Sequence, residues 1–180
     1  MSHLYEYAIM VRKMTRDQFI AAENHPFLLC ERSPDSESDG WTFKTNSISS
    51  AAVRVSKEVA AEGFRLSPRV ASSDVFAVVK GVDNPWPERI SVGRARNNDI
   101  VLADSSVSKL HAHFRLAEDG GYGVADAGSR NGTLVNSRRL GVSEAALLKS
   151  GDTVVFGRVS VTFLDAGALF DLITSNLQER

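Results

Sequence analysis

Short runs of β-branched and aromatic residues, separated by turn-forming residues, dominate the chain from residue 74 onward. In one such run the apolar Ala112, Phe114 and Leu116 alternate with His113 and Arg115, which is the pattern of a strand with one buried face. Comparable runs begin near residues 75, 89, 100, 122, 133, 153 and 159, with Asn, Asp, Gly, Pro and Ser clustered between them. This spacing predicts a mainly β protein with a sandwich or barrel over residues 74–165.

Residues 1–73 form a less regular N-terminal extension, for which we predict a mixed α/β structure. Thr15 and Gln18 have the spacing of a capping box, so we expect a helix over residues 15–24 that ends before Pro26. The apolar run after that proline fits a strand over residues 27–31. The polar stretch 33–40 is expected to be a solvated loop.

Two further segments carry helical patterns. In residues 49–62 the alternation of Val53 and Val55 suits a strand, whereas Ala52, Val55 and Val59 form a helical stripe, and we favour the helix. A short C-terminal helix is predicted over residues 166–180 because its apolar side chains fall on one face. These side chains are Leu169, Leu172, Ile173 and Leu177.

Composition narrows the class of partner and the compartment. The 180 residues are 43% hydrophobic with a formal net charge of −1, so the chain has no general attraction for nucleic acid or anionic membranes. The single cysteine, Cys30, excludes an internal disulfide and fits a reducing compartment. Residues 1–14 lack the continuous apolar stretch of a signal peptide or spanning helix, so a cytoplasmic location is expected.

Residue combinations typical of catalysis or metal binding are incomplete. His111 and His113 would face the same side of a strand, but no further ligand cluster accompanies them, so we predict neither a metal nor a cofactor. Ser108, His111 and Asp126 supply the residue types of a catalytic triad without a nucleophile elbow. We therefore expect a binding protein rather than an enzyme.

Four short clusters follow one another in a fixed order between the predicted strands. They are Gly93-Arg94, Ser108-Lys109-Leu110-His111, Ser129-Arg130-Asn131-Gly132-Thr133 and the segment 151–157. In this order and spacing the sequence resembles the forkhead-associated (FHA) family over residues 74–164. The resemblance implies a twisted β-sandwich whose loops at one end grip a phosphothreonine of a partner protein.

The resemblance also assigns roles to individual side chains. In the family, the arginine after the glycine and the serine of the second cluster contact the phosphate, which places these roles on Arg94 and Ser108. A guanidinium offers a planar fork of donors that suits phosphate oxygens, and a hydroxyl offers one more. Lys109 supplies a second positive charge, and Arg130 lies where the family often has a side chain that contacts peptide or phosphate.

The remaining residues of the clusters are expected to bind or shape the peptide site. The resemblance assigns Asn131 to the main chain of an extended peptide, because an amide both donates and accepts hydrogen bonds. His111 is expected to link loops, and Gly132 to adopt a left-handed backbone conformation. Gly93 and Thr133 complete the residues that support the site.

Three functions remain open at this stage. The first is a phosphothreonine-reading signalling adaptor that recognises a Ser/Thr kinase or its substrate, with binding that weakens in salt. The second is a phosphate-independent scaffold or oligomerisation module with the same fold, and the intact Arg94, Ser108 and Asn131 favour the first. The third is an accessory domain of an enzyme, for which residues 1–73 offer no nucleotide loop, metal set or acid–base pair. A homo-oligomer is compatible with each.

Overall fold

The computed structural model describes residues 2–31, 64–82, 84–142 and 144–179. The helices are α1 (Leu4–Lys13), α2 (Arg16–Ala22), α3 (Pro68–Ala71) and α4 (Ala166–Asn176). The strands are β1 (Ser2–His3), β2 (Phe27–Cys30), β3 (Phe64–Leu66), β4 (Asp74–Ala77), β5 (Ile90–Gly93), β6 (Ile100–Val101), β7 (Ala112–Leu116), β8 (Tyr122–Asp126), β9 (Thr133–Val135), β10 (Arg138–Arg139), β11 (Ala145–Leu148), β12 (Thr153–Phe156), β13 (Val159–Leu164) and β14 (Leu177–Glu179).

Two sheets face each other and form the sandwich. The larger has the strand order β1-β4-β2-β13-β12-β9-β10, and the smaller has the order β11-β8-β7-β5-β6. Buried side chains from both sheets, among them Val92, Phe114, Val124 and Phe156, fill the space between them. A separate two-stranded sheet pairs β14 with β3. The predicted mainly β sandwich is therefore confirmed.

Strand β2 belongs to two hydrophobic cores at once. All four of its residues are buried: Leu28 and Cys30 lie in the core between the sheets, while Phe27 and Leu29 lie in a second core with α1, α2 and α4. In the larger sheet β2 lies between β4 and β13. A strand from the N-terminal extension is thus an interior strand of the sandwich, while the division of the chain at residue 74 stays a prediction.

The local signals in the N-terminal extension correspond to observed elements. Thr15 caps α2, its hydroxyl accepts a hydrogen bond from the Gln18 backbone, and the Gln18 side chain accepts one from the Thr15 backbone. The expected strand over 27–31 is β2. The polar loop at 33–40 and the helix at 49–62 lie outside the described residues.

Several details of the sequence interpretation differ from the structure. The C-terminal helix ends at Asn176 instead of continuing to residue 180, because Leu177–Glu179 pairs with β3 as a strand. Leu116 does not complete the buried face of β7, since its side chain is 64% exposed. Helix α1 was not predicted, although Leu4, Tyr7 and Val11 have helical spacing and are buried.

Candidate functional site

Four loops meet at one end of the sandwich, and we call them the apical loops. They are residues 94–99 after β5, 102–111 between β6 and β7, 127–132 between β8 and β9, and 157–158 between β12 and β13. Hydrogen bonds join each of them to a neighbouring apical loop. All of the predicted phosphopeptide-binding residues lie on these loops.

Arg94 follows β5 directly and is fixed at its backbone. Its N–H donates to the Ser108 carbonyl at 2.9 Å, and its Nε donates to the Val107 carbonyl at 3.2 Å. Gly93, just before it, passes so close to the Lys109 carbonyl that a side chain there would collide with this oxygen. The side chain of Arg94 is exposed, and within the described part of the chain its two terminal nitrogens have no acceptor.

Ser108 accepts a hydrogen bond at Oγ from the backbone N–H of Arg130, with a donor–acceptor distance of 3.0 Å. This bond joins the second and third apical loops at the residue to which the family resemblance gives a phosphate contact. The hydroxyl hydrogen finds no acceptor among the described residues, so Ser108 retains a donor for a ligand. The side chain is half-buried, which limits the directions in which the hydroxyl can point.

His111 is fully buried and connects the same two loops. Its Nδ1 accepts from the Ser108 N–H at 3.0 Å, so the hydrogen of the neutral ring lies on Nε2 and is donated to the Gly132 carbonyl at 3.1 Å. Burial lowers the pKa of His111 and outweighs the opposite effects of the Gly132 carbonyl and Asp126. The loop-linking role that the resemblance implied fits this geometry.

Asn131 is exposed at the tip of the third apical loop. Its Nδ2 donates to the Ser106 carbonyl at 2.7 Å, which fixes the plane of the amide. The next residue, Gly132, has a φ of +84°, a conformation that glycine adopts without steric cost, as its sequence context predicts. The Arg139 guanidinium occupies the space that a side chain at this position would need.

Asp126 holds the third loop in shape from the end of β8. Its carboxylate accepts from the backbone N–H groups of Gly128 and Ser129 and from the hydroxyls of Ser129 and Thr133. Partial burial alone would raise the pKa of Asp126, but these hydrogen bonds outweigh it and lower the pKa. Thr133 is fully buried, so its predicted supporting role takes the form of this hydroxyl contact.

Sequence reasoning missed Ser106, which is buried and joins three apical loops. Its backbone N–H and hydroxyl donate to the Asp104 carboxylate, its Oγ accepts from the Arg158 N–H at 2.9 Å, and its carbonyl receives the Asn131 amide. Gly157 leaves room for this residue, because a side chain there would meet the Ser106 carbonyl. In the sequence, only the turn pattern around Gly157 indicates that another part of the backbone packs closely against this residue. The pattern does not identify Ser106 as the residue that does so.

Positive charge on the apical loops is not neutralised by nearby carboxylates. Arg94, Lys109 and Arg130 are all exposed, and none of the carboxylates in the described ranges forms an ion pair with them. The Lys109 carbonyl accepts from the Ala95 N–H at 3.1 Å and from Asn98 Nδ2 at 2.7 Å, so its backbone is fixed while its ammonium group is not. The arrangement can bind an anion with several oxygens.

Comparison with known proteins relates these loops to a family. A family model described as the FHA domain matches residues 90–157. Glycogen accumulation regulator GarA of Mycolicibacterium smegmatis is 45% identical over 74 residues, which are 41% of this chain and 44% of that protein. The oxoglutarate dehydrogenase inhibitor of Corynebacterium diphtheriae is 40% identical over 75 residues, which are 42% of this chain and 50% of that protein.

A solved structure is also similar to part of this chain. The FHA domain of the CT664 protein from Chlamydia trachomatis is 24% identical with a TM-score of 0.45, and the match covers 57% of this chain and 94% of that domain. The matched part of the chain spans half or less of the two curated relatives. No helix in the four described ranges is long and apolar enough to cross a membrane.

Proposed function

Because the FHA domain model matches residues 90–157 of this chain, we propose that the apical loops bind a phosphothreonine-containing segment of a partner protein. The observation that carries the proposal is the set of donors that the fold leaves available. The terminal nitrogens of Arg94 and the Ser108 hydroxyl have no acceptor in the described part of the protein, while the backbones beneath them are held by hydrogen bonds.

A phosphomonoester matches this set of donors in charge and in its number of acceptor atoms. It carries about −1.5 to −2 charges near neutral pH and three acceptor oxygens. Arg94 can supply two parallel N–H donors and Ser108 one O–H donor, and hydrogen bonds between ionised groups are the stronger class. Since the loop backbones are already fixed, little ordering entropy is lost when the phosphate arrives.

The neighbouring residues are suited to the peptide around the phosphothreonine. Lys109 and Arg130 add positive charge that attracts the phosphate and any acidic residues beside it. Asn131 uses one amide hydrogen on the Ser106 carbonyl, which leaves the second hydrogen and the carbonyl oxygen for the main chain of a peptide. We therefore assign phosphate contact to Arg94 and Ser108 and peptide contact to Asn131.

In this role the chain would act by binding, as a regulator or adaptor in a Ser/Thr kinase pathway. Two of its relatives are named as a glycogen accumulation regulator and an oxoglutarate dehydrogenase inhibitor, so regulatory names recur among proteins that share this segment. For this chain we propose a phosphorylated kinase or kinase substrate as the partner. No step of the proposal requires a catalytic residue, a metal or a cofactor.

The proposal is tested by titrating a phosphothreonine peptide library against the wild-type protein and Arg94→Ala. Unphosphorylated and phosphoserine peptides serve as ligand controls. Arg96→Ala serves as the protein control, because it removes an equal charge from another exposed arginine of the same loop. We expect binding of phosphothreonine peptides by the wild type and by Arg96→Ala, and loss of at least about tenfold, or about 1.4 kcal/mol, for Arg94→Ala.

Two results would contradict the proposal. If no phosphopeptide binds, or if Arg94→Ala and Arg96→Ala behave alike, the loops do not read phosphate through Arg94. Binding of phosphorylated and unphosphorylated peptides with equal affinity would instead support the phosphate-independent interaction module.

A further inference from the structure

The outer face of the smaller sheet carries a groove of about 500 Å³, and none of the five predicted phosphopeptide-binding residues lines it. Its floor is a row of residues that follow the register across four strands. Ser91 of β5 pairs with His113 of β7, His113 pairs with Ala125 of β8, and Ala125 pairs with Ala145 of β11. Three of these four side chains are small, which is why the face is concave. We call this feature the sheet groove.

The size of the sheet groove suits a short extended peptide. Neighbouring strands are about 4.8 Å apart, so the row across four strands is roughly 14 Å long. An extended chain advances about 3.3 Å per residue, and roughly four residues fit along the row. The small floor residues leave room for side chains that point into the sheet.

One end of the sheet groove is built from the apical loops themselves. Leu110, which lines the groove, directly follows Lys109, and Ala127 and Gly128 line it just before Arg130 in the third loop. The Ala127 N–H donates to the His111 carbonyl at 2.9 Å, so the two loops are joined at this end. A peptide held at the apical site would therefore have direct access to the groove.

The lining of the sheet groove combines unpaired positive charge with exposed apolar surface. Arg89 and Arg115 lie close enough to His113 to lower its pKa, in addition to the larger effect of burial. Neither arginine has a carboxylate partner among the residues that the structure describes. Trp86 and Val142, at 46% and 99% exposure, contribute apolar surface.

Among the described residues that line the groove, Asp126 is the only carboxylate, and it also acts electrostatically on His113. Asp126 accepts hydrogen bonds from its own loop and does not form an ion pair with the two arginines in the described structure. An occupant with a carboxylate would thus meet two guanidinium groups without a competing partner. An apolar residue of the same occupant would cover the indole of Trp86.

We propose that the sheet groove binds a second segment of the phosphorylated partner, an extended stretch that contains an acidic and an apolar side chain near the phosphothreonine. This inference rests on the proposed function, since the phosphothreonine brings the segment to the groove. The groove contributes affinity and partner selection through contacts that the phosphate itself does not make. Linking two weak sites in one ligand raises the effective concentration at the second site.

The test compares short and extended ligands. A heptapeptide with phosphothreonine, chosen from the library above, is extended by ten residues on either side. One pool of extensions contains Asp, Glu, Leu, Phe, Gly and Ser, and a second pool has Lys and Arg in place of Asp and Glu. We expect members of the acidic pool to bind about tenfold more tightly than the heptapeptide, and members of the basic pool to gain nothing.

Two variants assign the gain to the groove. Arg115→Ala removes one guanidinium, and Ala125→Phe fills the floor, while thermal unfolding checks that both variants fold. Arg65→Ala, at an exposed arginine of β3, and Leu147→Ala, on the same sheet face outside the groove lining, are the matched controls. We expect the two groove variants to abolish the gain and to bind the heptapeptide as the wild type does, and the two controls to retain the gain.

Trp86 gives a direct optical readout of the groove. In a Trp41→Phe background it is the only tryptophan of the chain, so a shift of its emission with the extended peptide but not with the heptapeptide reports occupancy. The inference is overturned if the heptapeptide binds and no extension adds affinity, or if the gain survives in both groove variants. If the heptapeptide itself fails to bind, the proposed function falls, and the inference falls with it.

Discussion

Replacement of His111 by alanine should strongly destabilise the protein, because its buried ring connects two apical loops. The ring fills buried space beside Phe156, at 5.8 Å between ring centroids, and serves two backbone groups. Without it, the Ser108 N–H loses its acceptor, at about 1 to 3 kcal/mol for a group that stays buried, and the Gly132 carbonyl keeps only the hydrogen bond from the Gly157 N–H. Adding the cavity, we expect a loss of about 3 to 5 kcal/mol in the free energy of unfolding.

Urea unfolding followed by far-ultraviolet circular dichroism measures this loss. His113→Ala is the matched control, because His113 is two positions along the same segment, half-buried on the outer sheet face, and its ring makes no hydrogen bond with the other described residues. We expect a change of less than about 1 kcal/mol for the control, since no buried partner is left unsatisfied. Equal losses for the two variants would refute the reasoning, because burial of a histidine alone would then account for both.

Four further results are expected from the same contacts. Gly132→Ala should lower the free energy of unfolding by about 1 to 2 kcal/mol, because alanine is strained at a φ of +84°. The same variant should weaken phosphopeptide binding, because it moves Asn131. As a control, Gly120→Ala should leave binding unchanged although the φ of Gly120 is +82°. Ser106→Ala should destabilise the fold by about 1 to 3 kcal/mol in urea unfolding, because Arg158 N–H and the Asp104 carboxylate lose a partner. Burial lowers the pKa of His111 below the ordinary value of 6.5, so the unfolded state binds the proton first and the free energy of unfolding should fall as the pH drops below about 6.5. The difference in unfolding free energy between wild type and His111→Gln, measured from pH 7 to pH 5, removes the contribution of the Asp and Glu side chains. If that difference does not change with pH, the argument is wrong. Phosphopeptide affinity should decrease when NaCl is raised from about 0.05 to 0.5 M, and a salt-independent affinity would contradict an electrostatic contact.

The strands that carry the site could be predicted because their signals are local. The alternation of Ala112 and Phe114 with His113, and the turn residues around Gly132, identify a strand and a tight loop without reference to the rest of the chain. Strand β11 was missed because Ala145–Leu148 contains no polar residue, so its alternation of exposed and buried positions is invisible in the sequence. Its antiparallel pairing with β8 places Ala146 and Leu148 on the buried face of the sheet.

The site itself could be predicted only as far as the family pattern extends. Arg94, Ser108 and Asn131 are named by the resemblance, but the contact from Asn131 to Ser106 joins loops that are far apart in sequence. The Asp104 and Ser106 pair has no pattern of its own, since serine and aspartate in a loop are usually explained by turn chemistry. The sheet groove depends on pairing register, which places Ser91, Ala125 and Ala145 in one row.

The position of β2 determines when the larger sheet can form during synthesis. Leu29 pairs with Thr162, so the larger sheet cannot close until the end of the sandwich has left the ribosome. Until then β2 can pair with β4 on one side only, and its other edge is an unpaired apolar edge of the kind that aggregates when it is left exposed. Because β2 contributes to both cores, correct folding of the nascent chain depends on how soon β13 is synthesised.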